Sequence, residues 1–153
     1  MKLKLIQERI AEALEADARL CADGWRPVAE DQGDVSARLN AAIARTSRCL
    51  LIQTPGFDVT SSASKVMVGE AGVVVQAIEH IVESRSRGGM TAQDAAELLA
   101  WTLNMLPLEG CGVLVCRRIT SKMLDERTLA YAVTFGVQTT ISDPVDTGKE
   151  EAV

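Results

Sequence analysis

The chain has 153 residues, with 16 Lys and Arg against 21 Asp and Glu, for a formal net charge of -5. Its 47% apolar content is enough to build a buried core and too high for a disordered chain, while the acidity argues against broad contact with a nucleic-acid backbone. No run of about 18 apolar residues is present to span a membrane, and Gln7, Glu8 and Arg9 interrupt any signal-peptide core after Lys2 and Lys4.

The first segment, Lys2 to Leu20, places Leu3, Ile6, Ile10, Ala13, Leu14 and Leu20 among charged residues. This period predicts one surface helix, stopped by Gly24 and Pro27. Asp34 is a suitable N-cap for a second helix that recurs on Val35, Leu39, Ala42 and Ile43. Cys49 to Thr54 is short and β-branched and is closed by Pro55-Gly56, which predicts a strand and a turn. The following stretch, Phe57 to Lys65, reads as a polar loop. From Lys65 to Glu83 two periods compete. Val73, Val74 and Val75 favour a strand through Ile78, with Gly69 and Gly72 as a bulge or turn, but Val74, Ala77, Ile78, Ile81 and Val82 also fit a helix. Arg87-Gly88-Gly89 is a loop. Thr91 with Asp94 caps a helix that runs to Leu106 and is ended by Pro107, with Trp101 and Met105 widening its apolar arc. Gly112 to Ile119 and Leu129 to Ile141 are the last strands. In the second, Leu129, Tyr131, Val133, Phe135, Val137, Thr139 and Ile141 alternate with small or polar residues, the mark of a sheet covered mainly on one side. The expected fold is therefore α+β, a two-layer arrangement with a mixed or antiparallel sheet of about four strands and helices packed mainly on one face. Residues 1-141 form one domain in this reading, and 142-153 a polar, flexible tail.

Few residues suggest chemistry. His80 is the only histidine, and Glu83 comes beside it only if the segment is helical. Cys111 and Cys116 are five apart, wider than zinc-knuckle spacing, and Cys21 and Cys49 supply no second pair, so reduced, mostly buried thiols are expected. Gly69-Glu70-Ala71-Gly72 lacks the Lys-Ser/Thr ending of a phosphate loop. Glu30-Asp31 and Asp125-Glu126 read as a helix entrance and a turn. Arg85-Ser86-Arg87 and Arg117-Arg118 are short basic clusters that an acidic partner could meet. No catalytic, cofactor-binding or metal-binding residue is predicted, and no enzyme activity.

The order of pieces resembles the tail terminator (tail completion) proteins of long-tailed bacteriophages and prophages. The resemblance rests on the amino-terminal helix, Glu30 to Leu39, the strand Cys49 to Gln53 ending at Thr54-Pro55, and the valine-rich strand ending at Ile78-Glu79-His80. It continues through the Arg85 to Gly89 loop, the helix from Thr91 to Leu106, and Leu129 to Phe135, and covers residues 2 to 141. It implies a structural virion protein of the host cytoplasm and then of the head-proximal end of the tail. Such a protein assembles as a homo-hexameric ring on the tail tube protein and meets a head completion or connector protein. It implies no cofactor, no membrane and no sequence-specific nucleic-acid binding. Another connector or tube protein, or a small ligand-binding regulatory module, are the alternatives.

Overall fold

The computed structural model describes residues 1–30 and 35–143. In chain order its elements are α1 (Lys2–Glu15), α2 (Ala18–Ala22), β1 (Pro27–Ala29), α3 (Val35–Thr46), β2 (Arg48–Ile52), β3 (Gly56–Ala63) and β4 (Val66–His80). There follow α4 (Ile81–Arg87), α5 (Ala92–Leu103), β5 (Pro107–Leu108), β6 (Gly112–Met123) and β7 (Thr128–Ile141). The strands form one mixed sheet in the order β1-β2-β4-β7-β6-β5, with β3 also paired to β4, and the sheet curls into a half-barrel. Among the described residues only the short β1 runs parallel to its neighbour.

The α+β class and the packing of helices mainly on one face hold, but among the described residues the sheet has seven strands instead of about four. The three that the sequence hides are short or polar. β1 and β5 have three and two residues, too few for a period to appear. β3 is the Phe57 to Lys65 segment expected as a loop. Its Ser and Thr residues are exposed and carry no apolar alternation, so only its register against β4, from Gly56 opposite Gly72 to Ala63 opposite Val66, makes it a strand.

β4 resolves the competing periods. It is a single strand of 15 residues running through Gly69 and Gly72 to His80, and the helix begins only at Ile81. Gly69 is no turn. A Cβ there would lie 2.0 Å from the Asp58 carbonyl oxygen, where β3 bulges between Val59 and Ser61, so the absent side chain permits the close approach of the two backbones.

The first helix is also corrected. It breaks after Glu15, and Asp17 caps α2 by accepting the N–H groups of Arg19 and Leu20. A side-chain oxygen at this position satisfies donors that the new helix leaves open, which favours the break. Asp34, the predicted cap of α3, lies outside the described residues. Thr91 and Asp94 do form the reciprocal capping box of α5. That helix ends at Leu103 and not at Leu106, because Asn104 turns extended and its Oδ1 accepts the Cys116 N–H at 2.9 Å. Met105, with φ 63°, donates its N–H to the Leu114 carbonyl at 2.7 Å. Bonds to β6 thus replace the last helical turn.

The principal core lies between α1, α2, α5 and one face of the sheet. Ile6, Ile10, Leu14, Leu99 and Leu103 meet Leu50, Ile52, Val75, Val133 and Phe135 there, all essentially inaccessible. The alternation read in β7 therefore has the expected sense. α3 packs on the opposite face, where Ala42 and Ile43 cover Cys49, Leu51, Ile78 and Ala130.

Candidate interaction surface

The segment expected as a loop from Arg85 is in part the last turn of α4, which ends at Arg87; that turn and Gly88-Gly89 after it are held from inside the protein. Arg48 on β2 is buried and spends its guanidinium on Ser84 Oγ, 2.9 Å away, and on the carbonyls of Ser84 (2.8 Å), Asp23 (2.7 Å) and Gly88. Burial pulls its pKa below the ordinary guanidinium value. Its carbon lies 5.9 Å from the ring centre of the buried Trp25, whose Nε1–H donates to the Met90 carbonyl. Glu79, at the end of β4, is also fully buried. It accepts the Ser84 hydroxyl at 2.6 Å and pairs with Arg85 at 3.0 Å. Gly89 adopts φ +79°, and a Cβ there would press to 2.9 Å on the Asp23 carboxylate, which receives the Met90 N–H.

Arg85, Ser86 and Arg87 are exposed, as a basic rim would be, but the two charges already have partners within the chain. Arg85 is committed to Glu79, and Arg87 donates to the Arg45 carbonyl at 3.4 Å. Nothing in the sequence marked Arg48 or Glu79 as buried, because a lone Arg and a lone Glu at strand ends look like surface charges. Arg117 is likewise engaged, bound to Glu70 at 2.9 Å across Gly136. Arg118, beyond the β6 bulge at Cys116–Arg118, is exposed.

The surface that stands out is an arm. β3 and the first residues of β4 form a hairpin closed by Ser64 (φ 56°) and Lys65. Val59, Val66, Met67 and Val68 on it are 51%, 40%, 38% and 39% exposed. At the other end of β7, Ile119, Met123 and Leu124 are similarly open. On α5, Trp101 is 75% exposed with Arg19 stacked over its ring, and Met105 is open beside it. Both were expected to widen the apolar arc of the helix; Trp101 instead lies on the face of α5 turned from the core, and Met105 lies beyond the helix end. These exposed apolar groups thus lie at three places: the arm, the far end of β6, and α5 with the residue just beyond it.

The expected chemical candidates are not drawn together. His80 is the last residue of β4, partly exposed, and its side chain does not cap α4. Cys21, Cys49, Cys111 and Cys116 are free thiols, of which Cys49 is buried and pushed up to about 12 by desolvation. Among the described residues no three His, Cys, Asp or Glu side chains gather as metal ligands. An open groove of about 560 Å³ between α1 and β1 presents Glu12 and Glu15, but these carboxylates pair with Arg9 and Arg26.

No family model matches the chain, and no curated protein matches it in sequence. Solved structures do share its fold. A chain from the virion of a native gene transfer agent particle superposes with a TM-score of 0.64 at 16% identity, over 89% of this chain and 95% of that one. A second solved chain, whose name states no function, gives 0.57 at 12% identity over 94% and 99%. The fold is thus shared nearly end to end.

Proposed function

We propose that this protein is a structural subunit of a phage-type virion, and within it the subunit that ends the tail tube. In this reading copies close into a hexameric ring on the last tube disc, stop its growth and present the surface to which the head joins. The ring forms in the host cytoplasm and stays at the head-proximal end of the tail. Catalysis, cofactor and metal have no part in it.

The observation that carries the reading is the exposed arm. A hairpin with apolar side chains in the open is a liability for a protein that works alone and a contact for one that assembles. The end-to-end likeness to a gene transfer agent virion chain supports a particle of this kind as the setting. A ring also needs two different contact surfaces on each copy, and the open groups at the two ends of β7 lie at two separate places.

The test is assembly with purified tail tubes from the same particle. The protein is expected at one end of each tube by electron microscopy, and its omission is expected to give tubes of irregular length that do not join heads. Tubes of normal length that join heads without it would reject the terminator reading. Incorporation along the whole tube would identify a tube subunit instead.

A further inference from the structure

The sheet ends in two unlike edges. On one side β3 bonds only to β4, and among the described residues nothing pairs with its outer side. It is eight residues long and exposed at all but Phe57. On the other side, the start of β6 is covered by β5, by Met105 and by Asn104. This cover stops at the bulge, and among the described residues no strand lies outside Arg118–Met123. Proteins that stay single blunt such edges with charge, proline, brevity or a covering segment. β3 has one charge, Asp58, and none of the other devices apart from a bulge.

The two edges match by face. Asp58 lies opposite Glu70, whose side chain is on the face of the sheet away from the principal core, while Phe57 and Val59 alternate to the core side. On β6, Arg118 and Lys122 sit opposite Thr134 and Ala130 on the outer face, and Ile119 and Met123 sit opposite Val133 and Leu129 on the core side. Side by side, the edges would set an acid against two bases on one face and apolar groups against apolar groups on the other.

They also match by direction. β3 is antiparallel to β4, β4 to β7 and β7 to β6, so β3 and β6 run opposite ways. Rotation about an axis along the strands preserves each direction, so β3 of one copy would meet β6 of the next as an antiparallel pair. The arm lies level with the end of β7, Met67 opposite Ile141, while Met123 lies opposite its start at Leu129. The copies would therefore be staggered, which a closed array of strands accommodates by tilting them.

We infer that β3 of one copy adds to the Arg118–Met123 edge of the next, making the sheets continuous from copy to copy. This rests on the ring reading above and names its contact. The first experiment uses the unaltered chain: a mixture of isotope-labelled and unlabelled protein, assembled on tail tubes and treated with a carbodiimide, which joins a carboxylate to an amine in direct contact. The expected product is a mixed-isotope peptide linking Asp58 to Lys122. The second uses Asp58→Lys, expected to weaken ring formation by about tenfold or more, and Asp58→Lys with Lys122→Asp, expected to recover it. Rings that form without the Asp58–Lys122 link, or that Asp58→Lys leaves unchanged, would overturn the edge pairing while the tail reading stands. Failure to form rings on tubes would overturn both.

Discussion

Arg48 holds a charge in the interior with its donors turned on a hydroxyl and three carbonyls. Replacement by Met would leave those buried acceptors without their donors. Arg48→Met is expected to cost about 3–5 kcal/mol in urea unfolding, the usual consequence of removing one partner from a buried ionic cluster. Arg85→Glu would set a like charge beside Glu79 and should destabilise the fold, so that substitution reports on folding before it reports on assembly. Cys49 offers a chemical check: with its thiol at about 12 and no access to solvent, it should resist iodoacetamide at pH 8 while the partly exposed Cys116 is alkylated, as read by peptide mass. Equal labelling of the two would contradict the packing of α3 over β2. Asp17 adds a dependence on acid. Burial raises its pKa, but the bonds from Arg19 and Leu20 outweigh this and hold it below the usual value. Its contribution is therefore complete above the unfolded pKa of about 3.9 and is lost as pH falls through the lower folded value. Asp17→Ala should cost about 1 kcal/mol at pH 7 and progressively less in acid.

Among the elements, β7 bears the most on the core. Phe135 is 1% exposed, and Phe135→Ala is expected to cost about 3–5 kcal/mol, measured as a shifted urea midpoint with unchanged slope. An unchanged midpoint would mean that the strand faces the other way. The same strand was legible in the sequence because burial of one face imposed the alternation of Val133, Phe135 and Val137. The Thr91–Asp94 cap was legible because its chemistry is local. β3 was not, because an edge exposed on both faces selects no period, and its identity comes from a partner strand. Nor were Trp101 and Met105, since a helical period tells which residues share a face but not whether another element arrives to cover it. The buried Arg48–Ser84–Glu79 cluster joins residues 36 apart and 5 apart in the chain, and no spacing rule brings them together.

At the scale of the whole molecule, order is expected to be graded along the long strands. The half of β4 from Val73 to Ile78 is buried or half-buried, whereas its first residues and β3 are open. Amide hydrogen exchange of the free protein should therefore be slowest near Val75 and Val133 and fastest from Asp58 to Met67. Assembly on tubes should protect β3 and the amides of Arg118–Met123 together. Protection confined to α5 around Trp101 would place the contact on another face.

The bare backbone at Gly69 also has a consequence for inheritance. A methyl group there would collide with the Asp58 carbonyl at the root of the arm, far from the helices, so Gly69→Ala is expected to pry β3 away while leaving the core and the β6 edge intact. Such a copy could accept one neighbour and offer nothing to the next. In the ring proposed above, the altered allele co-expressed with the normal gene should then be dominant, because each ring that admits such a copy would stall unfinished.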